Sequence, residues 1–278
     1  MKTAGFLIFT SEILILFFMI NSIYDKIRTE SDQKKRQLAV LIDPDKVDED
    51  GALRIAEMVN YYRADYVFTG GSLLTSDFMA TCLKILRQTV HVPVIIFPGN
   101  NMQVHPDADA ILLLSLISGR NPELLIGNHV LAAPALKKSG LEIIPTGYML
   151  IESGKLTSVA YMSNTIPIPS DKPDIASCTA MAGEMLGMKL IYMDAGSGAA
   201  IPVPFRMISH VRSNIRVPLI VGGGIRKAED AIKIWNAGAD IIVVGNATEH
   251  EPDFIGRLCE TRDNINGATD LRFQLKNR

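Results

Sequence analysis

The sequence predicts an α/β protein folded as one (β/α)8 TIM barrel. Eight short runs of β-branched and aliphatic residues recur along the chain, and most are followed by a segment with apolar residues at helical spacing. The runs also lack apolar–polar alternation, as expected of parallel strands buried on both faces by helices. A length of 278 residues accommodates such a barrel, which runs to about 250 residues as one domain. A doubly wound sheet more often has about five or six strands.

The predicted strands are residues 38–42, 66–69, 92–97, 110–114, 141–146, 190–193, 218–221 and 241–244. Between them, Ala52, Ile55, Ala56 and Val59 form one helical stripe, Met79, Cys82, Leu83 and Leu86 a second, and Ile175, Cys178, Ala182 and Met185 a third. Asn121, Pro122 and Glu123 read as a helix cap, a first helical residue and a favourable charge at the positive helix end. Gly140 and Gly187 suit helix ends. One unit departs from the pattern. Residues 98–108 are rich in Pro, Gly and Asn and too short for a covering helix, so the third helix is expected to be replaced by a loop that leaves a gap in the outer wall. The opposite irregularity is a long insertion after the fifth strand, residues 147–174, of the length usual for functional lids.

Residues 19–264 are assigned to the barrel, with residues 265–278 as a polar C-terminal tail. Residues 1–18 form an apolar extension interrupted by Thr10, Ser11 and Glu12. A membrane anchor and a signal peptide both fit it weakly, because Glu12 breaks the apolar run and no small-residue cleavage site follows. The amphipathic pattern of Ile20, Ile23, Tyr24 and Ile27 offers Met19 as an alternative start, the extension then being dispensable.

The 28 basic and 30 acidic residues give a net charge of −2, with no Lys/Arg run beyond Lys34, Lys35 and Arg36, which argues against nucleic-acid binding. Cys82, Cys178 and Cys259 lack CxxC spacing and read as packing residues in a reducing, cytoplasmic compartment. The five histidines show no metal-ligand spacing and receive no role.

Chemistry is expected at the C-terminal ends of the strands. Strand seven ends in Gly222, Gly223 and Gly224, and strand eight in Gly245 and Asn246, two loops whose backbone N–H groups suit a phosphate. Strand six ends in Tyr192, Met193, Asp194, Ala195, Gly196, Ser197 and Gly198, which adds a phenol, a carboxylate and further backbone donors. There, Asp194 is a candidate hydroxyl-binding group or general base, or an Asx turn. Across the mouth, Asp43, Pro44, Asp45 and Lys46 end strand one, and Gly70, Gly71 and Ser72 end strand two. The carboxylate and hydroxyl oxygens among them suit Mg²⁺ as well as a capped turn.

Taken in order, these motifs resemble the geranylgeranylglyceryl phosphate synthase family from about residue 19 to about residue 260. The resemblance implies a Mg²⁺-dependent prenyltransferase that joins sn-glycerol 1-phosphate to geranylgeranyl diphosphate, or a related prenyl diphosphate, through an ether bond. Asp43 and Ser72 would bind the metal. The residues from Tyr192 to Gly198, with Gly223, Gly224, Gly245 and Asn246, would hold glycerol phosphate, and Asp194 and Tyr192 would be catalytic. Homo-oligomerisation and a peripheral membrane contact through the lipid product are also implied. Two positions depart from the family. Leu41 stands where some members have a phosphate-binding Lys, leaving Lys46 or the glycine loops to supply that contact, and Asp194 stands where Glu is usual.

Two other readings remain open at this level. A phosphate-handling isomerase or lyase would share the glycine loops, although no Lys ends strands three to seven to form a Schiff base. A non-catalytic polyprenyl-phosphate carrier would be kept at the membrane by the apolar N-terminus.

Overall fold

Eight parallel strands close in sequence order into a barrel in the computed structural model, which describes residues 22–100, 103–245, 248, 251 and 253–276. They are β1 (Gln37–Ile42), β2 (Tyr66–Thr69), β3 (Val94–Ile96), β4 (Ala110–Leu116), β5 (Glu142–Leu150), β6 (Leu190–Asp194), β7 (Leu219–Gly222) and β8 (Ile241–Val244). Each lies within two residues of its predicted start. The exception at the other end is β5, which runs to Leu150 rather than to residue 146 because its ladder with β6 continues through Tyr148, Met149 and Leu150. The insertion therefore begins after Leu150. A single bridge between Ile151 and Ile168 closes it into a strap.

Alternation along the strands divides the apolar residues into two cores. Tyr66, Phe68, Ile95, Leu112, Leu190, Tyr192 and Ile220 fill the barrel, while Val67, Ile96, Ile191, Met193, Leu219 and Val221 face the helices. Helix α1 (Ile23–Asp32) closes the N-terminal end by inserting Ile27 into the inner core. Its N-terminus points at Glu142, whose carboxylate accepts from Ile23 N at 2.6 Å and Tyr24 N at 3.0 Å, where the helix dipole favours an anion. That end is further fixed by acids at the strand starts. Asp65, Asp109 and Asp240 accept N–H groups from Leu38, Val94 and Leu219 of neighbouring strands.

The helical wall continues with α2 (Glu49–Tyr62), α3 (Phe78–Thr89), α4 (Asn128–Ser139), α5 (Ser158–Ser163), α6 (Pro173–Met185), α7 (Phe205–Arg212), α8 (Ala228–Ala237) and α9 (Asp253–Lys276). Helix α2 buries the predicted Ala52, Ile55, Ala56 and Val59, and α3 buries Cys82, Leu83 and Leu86. Before α4, Asn121 accepts from Glu123 N at 3.0 Å and so caps the π-turn Glu123–Gly127. Among the described residues, none between β3 and β4 is helical, as the composition of residues 98–108 predicts.

The third stripe is a correction. Ile175 and Met185 are 45% and 83% exposed, and Cys178 is exposed, so it is not a packing residue, unlike buried Cys82 and Cys259. The buried face of α6 is Ala176, Ser177, Ala180 and Gly183. Small residues are required there because the helix lies close on the sheet: a Cβ at Gly183 would fall 2.8 Å from Ile117 Cδ1. No helix among the described residues is long and apolar enough to cross a membrane. Residues 1–18, with their possible anchor or alternative start, lie outside the described residues.

Candidate functional site

A cavity of about 1320 Å³ opens at the C-terminal ends of the strands, larger than the ~300–1,000 Å³ of ordinary ligand pockets. One end is polar and lies over the glycine loops. The other is apolar and leaves the barrel sideways.

The polar end is built on β6. Because side chains alternate, Leu190, Tyr192 and Asp194 face the lumen in succession, with Asp194 at the top. Asp194 pairs with Gly222 of β7, and its carboxylate accepts from Tyr148 Oη at 2.5 Å and from Gly196 N at 2.8 Å. The Asx turn is thus present, but it occupies only Oδ1, and Asp194 also lines the cavity. Burial raises the Asp194 carboxyl above the usual carboxylate range, opposed by the hydrogen bonds from Tyr148 and the Gly196 N–H. Burial likewise pushes the Tyr148 phenol well above its ordinary value, reinforced by the Asp194 charge, so Tyr148 remains a donor.

Gly223, at φ +83°, passes beneath this carboxylate. A Cβ there would lie 2.8 Å from Asp194 Oδ1, which is why only glycine lets the loop approach. Gly224, Gly245, Ser197 and Gly198 line the same end, and Arg226 bridges the loops by donating from Nη2 to Ala199 O at 2.7 Å.

Across the mouth, the Asp43 carboxylate sits over the β2 loop, with Oδ1 3.0 Å from where a Cβ on Gly71 would be. Asp43 and Ser72 both line the cavity and present hard oxygen donors. Among the described residues there is no cluster of three or more His, Cys, Asp or Glu able to hold a metal. The oxygen donors of Asp43 and Ser72 are of the kind Mg²⁺ takes, an ion that keeps several waters and binds through one or two carboxylates and substrate phosphates. Lys46 reaches both sides of the mouth, with Nζ 3.0 Å from Asp43 Oδ2 and 3.5 Å from Ser197 Oγ.

Asp45 has a different task. It accepts from the N–H and hydroxyl of both Thr75 and Ser76, and these bonds, Ser76 Oγ first, hold its carboxyl down to about 2. Asp45→Ala should free the loop that carries Ser72 and Leu73. Limited proteolysis should then cleave near residues 73–77 faster while the melting temperature stays nearly constant, and unchanged cleavage would refute the tether.

The apolar end lies beside β3 and β4. There Phe97, Val104, Ile111, Leu113, Ala132 and Leu136 line a continuous groove that passes where a third helix would stand and reaches α4. The loop over it is braced by Gln103, which accepts from Gly99 N at 2.9 Å.

The sequence-predicted residues mostly converge: Asp43, Lys46, Ser72, Tyr192, Asp194, Gly196, Ser197, Gly198, Gly223, Gly224 and Gly245 line one cavity. The side chains of Met193 and Ala195 are buried in the outer core, which leaves only their backbone to face a ligand. Asn246 lies outside the described residues. Sequence reasoning missed Tyr148 and Phe97. With Tyr192 they form an aromatic cluster with ring centroids 5.3–5.9 Å apart. Extending the alternation of β5 by two residues would have placed Tyr148 in the lumen.

Residues 31–262 match the PcrB family. The chain is 54% identical over 242 residues to the geranylgeranylglyceryl phosphate synthase of Chitinophaga pinensis, covering 87% of this chain and 96% of that protein. To the protein of the same name from Spirosoma linguale it is 53% identical over 224 residues, covering 81% and 90%. Among solved structures it superposes on (S)-3-O-geranylgeranylglyceryl phosphate synthase from Thermoplasma acidophilum, determined in complex with sn-glycerol-1-phosphate. The TM-score is 0.82 at 30% identity, covering 87% of this chain and 98% of that one.

Proposed function

The chain belongs to the PcrB family, and on that premise we propose that it is a prenyltransferase joining sn-glycerol 1-phosphate to geranylgeranyl diphosphate, with release of diphosphate. The observation that carries this reading is the two-ended cavity: glycine loops suited to a phosphate open directly into an apolar groove. A tail of about twenty carbons gains ~0.8 kcal/mol for each buried CH₂. The filled lumen has no room for it, whereas the groove beside β3 and β4 does.

In the reaction, the C1–O bond to diphosphate breaks as the glycerol C3 oxygen bonds to C1, and the hydroxyl proton leaves. Backbone donors of the Gly196–Gly198, Gly223–Gly224 and Gly245 loops hold the glycerol phosphate, so that its hydroxyl lies beside Asp194. Asp194 accepts the proton, helped by a raised affinity for it, while Tyr148 fixes the carboxylate. The faces of Phe97, Tyr148 and Tyr192 stabilise positive charge developing at the allylic carbon. Lys46, between Asp43 and Ser197, contacts the diphosphate. Mg²⁺ on Asp43 and Ser72 would supply Lewis-acid neutralisation of the leaving diphosphate.

The same reading places the enzyme in the cytoplasm as a homo-oligomer that meets membrane through its lipid product. Exposed Ile175, Met185 and Leu186 around α6 support self-association.

Incubation with labelled sn-glycerol 1-phosphate, Mg²⁺ and prenyl diphosphates of graded length should yield the prenyl ether. Absence of product with every donor would reject the reading, and binding without turnover would leave a carrier. Ala132→Phe, which fills the groove, should shift preference toward shorter donors while the KM for glycerol phosphate stays constant. Equal losses with short and long donors would show that the tail lies elsewhere.

A further inference from the structure

The strap after β5 lies across the loop after β6. The Ser153 carbonyl accepts from Ala200 N at 3.2 Å and from Ile201 N at 3.3 Å. Four residues on, buried Thr157 presses on Gly196, where a Cβ would fall 2.7 Å from Thr157 Oγ1. Between these anchors the chain turns at Gly154, φ +79°, and Lys155 carries its ammonium to 3.6 Å from the space a Cβ on Gly198 would fill. Gly198 itself lines the polar end of the cavity.

We propose that Lys155 is the cationic wall of the glycerol phosphate subsite, completing from the strap a charge balance that the glycine loops leave unfinished. A phosphate monoester carries about −1.5 to −2 at pH 7, and backbone N–H groups offer only partial charges. Of the two cations among the described residues that line this end, Lys46 is held in an ion pair with Asp43, while Arg226 is anchored by the Ala199 carbonyl, which does not cancel its charge. On β1, Leu41 stands beside Gly245 and brings no charge to this corner. Lys155 makes no ion pair among the described residues, and nearby Glu152 is taken up by the N–H and hydroxyl of Ser170. Being exposed, the ammonium is hydrated until a dianion arrives, and the turn at Gly154 then sets it above the loop rather than in open solvent.

The inference rests on the reading that these loops hold the phosphate, so the test uses two probes. Calorimetry would compare wild type, Lys155→Ala and Lys155→Arg with sn-glycerol 1-phosphate and with inorganic phosphate. Lys155→Ala should bind both about tenfold more weakly, Lys155→Arg within about twofold of wild type, as expected for one charge-assisted contact at a partly open site. The gap should narrow at high salt, and the KM for prenyl diphosphate should not move. Equal affinity in Lys155→Ala, failure of Arg to restore it, or a matching loss for prenyl diphosphate would overturn the inference, as would a wild type that binds neither probe. Lys155-dependent binding of inorganic phosphate alone would keep Lys155 as a phosphate contact but overturn its place in a glycerol phosphate subsite, together with the reading on which that rests.

Discussion

Asp43→Asn is expected to lower turnover by about 10³-fold or more, because the metal proposed at that carboxylate would supply several kcal/mol of charge stabilisation at the leaving diphosphate. Binding of sn-glycerol 1-phosphate should be nearly unchanged. Its loops after β6, β7 and β8 stand across the mouth from Asp43, and the residue common to both sides is Lys46, which the substitution leaves in place. Removing the negative charge also weakens the hold on Lys46 Nζ, 3.0 Å from Oδ2, but in the proposed arrangement Lys46 serves the diphosphate, so glycerol phosphate affinity should stay level. Chelation of divalent cations by EDTA should reproduce the loss in wild type and weaken prenyl diphosphate binding, measured separately by calorimetry. Full activity in EDTA, or an Asp43→Asn enzyme that loses both substrates together, would defeat the assignment.

Much of this was legible in the sequence because the fold writes itself in runs and breaks. Strands buried on both faces leave uninterrupted β-branched runs, and parallel pairing places their loops on one rim, so Asp43, Ser72, Asp194 and the glycine pairs could be brought together without coordinates. The gap after β3 was equally visible, since residues 98–108 are too short and too rich in Pro, Gly and Asn to hold a wall helix. What failed was direction. Ile175, Cys178, Ala182 and Met185 repeat at helical spacing yet face outward, because close contact with the sheet selects the small face of α6 instead. Apolar periodicity reports an amphipathic helix but does not say which side the sheet will take. Tyr148 was lost to a related error: the sequence pattern ends the strand at residue 146 and starts the insertion at Gly147, whereas Gly147 pairs with Ser115 and Ile191 and the ladder with β6 continues to Leu150. The strap's reach over Gly196 and Gly198 depends on tertiary contacts at Ser153 and Thr157, for which local sequence carries no signal.

Asp194→Asn should lower kcat by about 10²–10³-fold, within the range that general-base catalysis contributes. The KM for glycerol phosphate should change little, since in the proposed arrangement the glycine loops hold that phosphate. The pH dependence follows from the direction of the shift. A base at Asp194 would work as a carboxylate, and burial raises the pH needed to form it, so wild-type kcat should fall on the acid side through a limb displaced above that of an ordinary aspartate. Tyr148 donates at 2.5 Å and favours the charged form. In Tyr148→Phe the desolvation remains and this bond is gone, so the acid limb should move further toward higher pH while kcat on the alkaline plateau falls less than in Asp194→Asn. Asp194→Asn should lose that limb altogether, because no ionisation remains at the position. Asp194→Glu, the residue usual in the family the motifs resemble, should retain activity, with the longer side chain still reaching the hydroxyl. A structural role for Asp194 predicts otherwise: Asn, nearly the same shape, would keep kcat, and removing the Tyr148 hydroxyl would lower stability without moving the limb. An Asp194→Asn enzyme as fast as wild type would therefore reduce Asp194 to the Asx turn it makes with Gly196.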